Sequence, residues 1–142
     1  CGGSGYYLSP IAFIRNPPLW MECASRYRAT HMQAPNFAYG LTARKFAIAR
    51  ARRDGEPLDL SSVRHMINGA EPVDPATVDK FYAVFEPYGL RRGAVFPTYG
   101  LAEHCVYVSS NGSVRLTVDR EALEGDRVVR EVDKLMLWTY SD

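Results

Sequence analysis

Three cysteines in 142 residues, Cys1, Cys23 and Cys105, stand far apart and form no CxxC pair, so neither a disulfide framework nor a zinc cluster is encoded. No stretch approaches the roughly 18 consecutive apolar residues of a membrane-spanning helix. The opening Cys1-Gly2-Gly3-Ser4-Gly5 has no basic run, signal-type apolar core or initiator Met, which suggests a chain cut from something longer. An excess of one charge is also lacking: 17 Lys and Arg against 16 Asp and Glu leave a formal net charge of +1. Nothing global therefore draws the chain to nucleic acid or an anionic membrane. The one basic cluster, Arg44-Lys45 with Arg50, Arg52 and Arg53, lacks interleaved aromatics and reads as a solvated helix face and its trailing loop. No repeat or low-complexity tract is visible. A reducing, cytoplasmic setting fits best.

What is present is a hydrophobic fraction of 46%, enough for one globular domain that buries roughly two thirds of its unfolded surface. Pro18 to Arg28 opens with prolines suited to a first helical turn and places Trp20, Ala24 and Tyr27 at helical spacing. Asn36 can cap a second helix with Phe37, Leu41, Phe46 and Ile48 as its apolar positions. Arg52 to Pro57 reads as a surface loop. Val63 to Ile67 suits a buried strand and Asn68-Gly69-Ala70-Glu71-Pro72 a turn that breaks it. Asp74-Pro75 then opens a third helix with Val78, Phe81, Tyr82 and Phe85 inward, stopped by Pro87 and Gly89. Ala94 to Phe96 is a second strand, closed by Pro97-Thr98-Tyr99-Gly100.

Strand, helix, strand with short turns implies parallel pairing in an α/β layer. Beyond Ser109 the texture becomes β-rich. Val106 to Val108, Val114 to Val118 and Val128 to Val132 alternate like strands, with Asn111-Gly112 and Glu124-Gly125-Asp126 as turns. The expected organisation is an α/β part over 1–108, a β-rich continuation over 109–133 and a tail of unclear status over 134–142.

Two segments follow predicted strands directly: Asn68 to Pro72, and Thr98-Tyr99-Gly100-Leu101-Ala102-Glu103. In open α/β sheets, ligands bind outside the carboxyl ends of the strands. Glycines there admit a ligand close to the backbone, Tyr99 offers a stacking face, and Glu103 offers the oxygen that Mg²⁺ prefers beside phosphates. Spacing alone leaves the plainer reading open, in which both are tight turns and Glu103 starts a helix. His104 and Cys105 have no partners that suggest acid/base or nucleophilic work, and His31, His65, Trp20 and Trp138 read as structural.

Five segments occur in order: Ser25-Arg26-Tyr27-Arg28-Ala29-Thr30, Ala34-Pro35-Asn36-Phe37-Ala38-Tyr39, Leu58-Asp59-Leu60-Ser61-Ser62, Asn68-Gly69-Ala70-Glu71-Pro72-Val73 and Tyr99-Gly100-Leu101-Ala102-Glu103. Together they resemble the fatty-acyl-AMP ligases of the adenylate-forming superfamily, from about Leu8 to Val132. The adenylation-like domains of disco-interacting proteins share much of the pattern. The resemblance implies an internal fragment of the large N-terminal domain of such an enzyme, mostly parallel strands with flanking helices followed by a β-rich segment. It further implies ATP and Mg²⁺ as cofactors, a fatty acid as substrate, and an acyl carrier protein or coenzyme A as thiol acceptor.

Carried over residue by residue, Asn68, Gly69, Ala70, Glu71 and Pro72 would lie along the adenine, with Tyr99 stacked on it and Gly100, Leu101 and Ala102 completing the ATP site. Glu103 would hold Mg²⁺, and Asn36, Phe37, Ala38 and Tyr39 would border the acyl channel. Many relatives carry Thr where Ala102 stands; its absence is common among fatty-acyl-AMP ligases. The family's glycine-rich phosphate loop and carboxy-terminal catalytic Lys have no counterpart, and Lys134 is no substitute, so no complete catalytic set is expected within these residues. Two rivals stay open: a non-catalytic adenylation-like module binding ligands or partners, and a small nucleotide-binding α/β domain.

Overall fold

A Ser-Pro pair starts the first helix. In the computed structural model, which describes residues 2–50, 57–110, 112, 114–128 and 134–139, the Ser9 side chain accepts from the Ala12 N–H at 3.1 Å and opens α1 (Pro10–Arg15). Two further prolines precede α2 (Leu19–Arg26). The chain continues through β1 (His31–Ala34), α3 (Asn36–Arg50), β2 (His65–Asn68), α4 (Pro75–Phe85) and β3 (Val95–Tyr99). Single 3₁₀ turns occupy Glu86–Tyr88 and Ala102–His104. A two-residue β4 (Ser109–Ser110) follows, then β5 (Val114–Asp119), α5 (Arg120–Glu124) and β6 (Lys134–Thr139).

Strands β1, β2 and β3 run parallel in that spatial order, with His31 opposite His65, Ala34 opposite Asn68, and Asn68 opposite Pro97. β4 adds an antiparallel edge at Thr98 and Tyr99. β5 and β6 form a separate antiparallel pair. The parallel, helix-flanked sheet expected from the sequence is therefore present. Among the described residues, no helix is long and apolar enough to cross a membrane.

Helix α4 carries its stripe inward as its spacing predicts, with Val78, Phe81, Tyr82 and Phe85 buried. Phe81 lies 5.0 Å from the Tyr39 ring and 4.6 Å from Phe85, and Phe46 lies 4.8 Å from Phe85. Trp20 of α2 meets Tyr39 edge-on at 5.3 Å. These rings join Met66 and Val95 in one core on the helix-covered face of the sheet. Aromatic pairs in such arrangements add about 0.5–1.5 kcal/mol each beyond area burial.

Several local expectations give way to packing. Asn36, expected to cap α3, is its first residue, and its side-chain oxygen accepts from the Asn68 amide at 3.1 Å instead. α3 buries Ala38, Tyr39, Thr42, Ala43 and Phe46, whereas Ile48 is exposed, because small residues bring this helix close to α4. β3 runs on through Pro97 to Tyr99 rather than ending at Phe96. Val106 to Val108 forms no strand and is exposed; the backbone turns at Cys105 and Val106, both at positive φ. The partner of β5 is β6, in the segment whose status the sequence leaves unclear. Val128 lies outside any helix or strand, and 129–133 lie outside the described residues, as do 52–56 of the expected surface loop.

Two side chains fasten the two ends of α4. Asp74 caps α4, accepting from the Ala76 and Thr77 N–H groups at 3.1 and 3.0 Å and from the Thr77 hydroxyl at 2.6 Å. At the other end, the Tyr82 hydroxyl accepts from the buried Val95 N–H at 2.8 Å. Tyr82→Phe leaves that donor without its partner, so urea unfolding should show a loss of about 1–3 kcal/mol; an unchanged midpoint contradicts this.

Asp74 sits below the ordinary aspartate value chiefly through the Thr77 hydroxyl, and Asp79 through its bond to Arg115 at 2.7 Å. A carboxyl lowered in the folded state stabilises fully above its unfolded value, about 3.9, and the contribution fades as pH falls through the lower folded value. Urea midpoints should therefore drop below roughly pH 4. Asp74→Asn keeps a capping oxygen without the titration and should drop less steeply; parallel curves would count against the assignment.

Candidate functional site

The carboxyl ends of β1, β2 and β3 lie side by side, and the two segments singled out above leave from neighbouring ends. Asn68 ends β2, and Gly69 faces the β3 backbone so closely that a Cβ there would stand 2.7 Å from the Thr98 carbonyl oxygen. Gly100, just past β3, is equally constrained, since a Cβ would overlap the Val106 carbonyl oxygen. Both glycines are thus required by close backbone approach. Between them the edge carries Asn68, fully buried, and Tyr99, 53% exposed.

Backbone strain gathers at this edge. Ala70 has φ 66°, Cys105 φ 50° and Val106 φ 73°. Non-glycine residues in the left-handed region cost of order 1 kcal/mol or more and concentrate where function or packing over-determines the chain. Two buried polar atoms here, Asn68 Oδ1 and Thr98 Oγ1, have no hydrogen-bond partner among the described residues. Thr98 belongs to the second segment, yet its type and spacing gave no reason to select it; only the parallel register puts its hydroxyl beside the Gly69 turn. A polar, hydrogen-bonding ligand with a flat ring suits an edge of unpartnered polar atoms and an open tyrosine ring.

The segment 36–39 borders the same edge, at the start of α3. Phe37 is half exposed and meets Phe13 edge-on at 6.4 Å. Ala38 and Tyr39 are buried; the Tyr39 hydroxyl donates to the Ile67 carbonyl at 2.8 Å, and burial holds its phenol above the usual range. The Glu71 carboxylate accepts from the Phe37 N–H at 2.5 Å. Of this segment, Phe37 alone presents a large open apolar face.

Leu101 is half-buried, and Ala102, Glu103 and His104 form an exposed 3₁₀ turn beyond Gly100. Among the described residues, no three His, Cys, Asp or Glu side chains cluster as metal ligands. A lone exposed carboxylate fits the donor set of Mg²⁺, which binds through one or two carboxylates and takes its remaining ligands from phosphates and water. His31 and His65 stack at 4.9 Å at the opposite, amino ends of their strands, away from this edge, and His31 Nδ1 shares a hydrogen bond with the Thr30 hydroxyl at 2.9 Å.

Forcing a methyl group against the Thr98 carbonyl should push β2 from β3. Gly69→Ala is expected to cost about 1–3 kcal/mol of stability, whereas Gly3→Ala, which meets nothing within 4 Å, stays within about 0.5 kcal/mol of the parent. Equal thermal shifts in both variants would refute the close approach.

Comparison with known proteins matches this arrangement to one family. The AMP-binding enzyme family matches residues 1–133. The medium-chain-fatty-acid acyl-carrier-protein ligase JamA of Moorena producens is 48% identical over 128 residues, covering 87% of this chain and 21% of that protein. The long-chain-fatty-acid AMP ligase FadD32 of Mycobacterium marinum is 41% identical over 136 residues, covering 90% and 21%. The fatty acyl-adenylate ligase of L. pneumophila, solved with acyl adenylate and pyrophosphate, superposes with a TM-score of 0.78 at 36% identity, covering 92% of this chain and 24% of that one. The chain thus spans about a fifth of the length of these curated relatives. With nearly all of its residues matched and its parallel sheet shared with solved acyl-adenylate ligases, the chain belongs to the AMP-binding enzyme family.

Proposed function

We propose that this chain is part of a fatty-acyl-AMP ligase, which joins a fatty acid to ATP as acyl-adenylate with release of pyrophosphate, then passes the acyl group to a carrier thiol. The observation that carries the reading is the convergence of the Asn68–Pro72 and Tyr99–Ala102 turns on neighbouring parallel strand ends. Relatives named as fatty-acid ligases supply the substrate class.

In this reading the purine lies against the backbone from Asn68 to Pro72, with the Tyr99 ring stacked on it. Gly69 and Gly100 allow the close backbone approach that shapes the floor, and the spare Asn68 Oδ1 and Thr98 Oγ1 suit the exocyclic amino group of the purine or a bridging water. Leu101 and Ala102 continue the wall, and Ala102 brings no hydroxyl to the phosphates. Glu103 would hold Mg²⁺, which would offset the charge of the phosphates. Asn36, Phe37, Ala38 and Tyr39 flank the acyl chain: Phe37 lines the channel and buried Tyr39 supports the wall from behind. Each CH₂ buried there contributes about 0.8 kcal/mol.

The fatty-acid carboxylate attacks the α-phosphate and pyrophosphate departs, a step that depends on positive charge around the phosphates. Among the described residues of this edge, none supplies such a cation. An acyl carrier protein or coenzyme A accepts the acyl group.

Pyrophosphate exchange into ATP, run with a panel of fatty acids on the full-length protein, tests the proposal. Exchange should require a fatty acid. Tyr99→Ala should raise the KM for ATP about tenfold, the size expected when a base loses an aromatic platform. Nucleotide binding without exchange for any fatty acid would contradict the ligase reading and leave a ligand-binding adenylation-like module.

A further inference from the structure

The 68–72 turn does more than border a ligand. Asn68 and Glu71, three residues apart, both reach back to the start of α3. The Asn68 side-chain amide donates to Asn36 Oδ1 at 3.1 Å, and the Glu71 carboxylate accepts from the Phe37 N–H at 2.5 Å. Ala70, at φ 66°, makes the turn between them that aims Glu71 back along the chain. Two residues of one segment are thereby tied to two adjacent residues of the other.

The first N–H groups of a helix have no partner within the helix, and an anionic acceptor suits that end of its dipole. With the Asn36 side-chain oxygen committed to Asn68, the Glu71 carboxylate serves the Phe37 N–H. A carboxylate held there does not turn toward a triphosphate, which carries charge of the same sign. Phe37 is fastened through its backbone while its ring stays half exposed, one edge against Phe13.

The geometry points to Glu71 as a positioning residue that sets Phe37 in the wall of the acyl site, rather than as a contact to nucleotide. The inference rests on the reading of 36–39 as that wall, and it makes fatty-acid recognition depend on a residue of the adenine loop. Loss of the carboxylate should let the first turn of α3 fray and Phe37 drift, while β2 and β3 keep their register.

The test uses the full-length protein. In pyrophosphate exchange, Glu71→Ala should raise the KM for the fatty acid about fivefold and leave the KM for ATP within about twofold, and Glu71→Gln, which keeps an acceptor oxygen, should recover most of the loss. A matching rise in the KM for ATP, or an unchanged fatty-acid KM, overturns the proposal. Amide hydrogen exchange gives a second readout that needs no turnover. Amides 36–38 should exchange faster in Glu71→Ala while β2 and β3 keep their protection; unchanged exchange at 36–38 overturns it. If Glu71→Ala loses protection throughout, Glu71→Gln is read instead, with a smaller rise confined to the same amides. If the parent protein exchanges pyrophosphate with no fatty acid, the ligase reading falls and the hydrogen-exchange result decides the positioning role on its own.

Discussion

The close approach of β2 to β3 at Gly69 governs the rest of the site. A parallel pair has evenly spaced, slanted hydrogen bonds and a fixed register, so placing Met66 opposite Val95 places Asn68 opposite Pro97 and Gly69 beside Thr98. No residue larger than glycine fits that contact without displacing a backbone. Once it forms, the next residues of each strand must leave the sheet together, and their turns share one edge. Gly100 repeats the device one strand along, where the 101–107 turn folds back until Val106 covers it. The strain at Ala70, Cys105 and Val106 follows from turning the chain sharply where little room remains.

That edge stands on a firmly packed, helix-covered face of the sheet. Tyr39, Phe81, Phe85 and Phe46 join α3 to α4, and Tyr82 fastens α4 to the first residue of β3. The opposite face carries His31, Gln33 and His65 exposed, with Ile67 and Phe96 half-buried. Parallel sheets are ordinarily covered on both faces. Among the described residues, helices cover one face of this sheet. Arg115 of β5 pairs with Asp79 of α4, an ion pair between the β-rich part and the α/β part.

Much of this was legible in the residues. The α4 stripe, its Asp-Pro opening and its Pro-Gly stop are local signals that tertiary packing does not overrule. The Asn-Gly and Tyr-Gly segments announced strand ends, and their order carried the family resemblance. Less legible was anything that depends on register. Asn36 has the chemistry of a cap, yet its oxygen is taken by Asn68, 32 residues away, and Glu71 assumes the capping bond. Val106 to Val108 has strand-forming residues but is turned out by the backbone that covers Gly100. Ile48 follows helical spacing and still faces solvent, because Ala38 and Ala43 decide which side of α3 meets α4. Thr98 gained its interest only from its buried, unpartnered hydroxyl. Each of these depends on a tertiary contact or a backbone turn, which spacing cannot show.

The central claim is that one purine touches both turns at once. A crystal structure of the full-length protein with a non-hydrolysable acyl-adenylate mimic tests it most directly. The account predicts the purine between the 68–72 backbone and the Tyr99 ring, with the acyl chain leading past Phe37. A purine bound away from either turn, with Tyr99 still facing solvent, would contradict it.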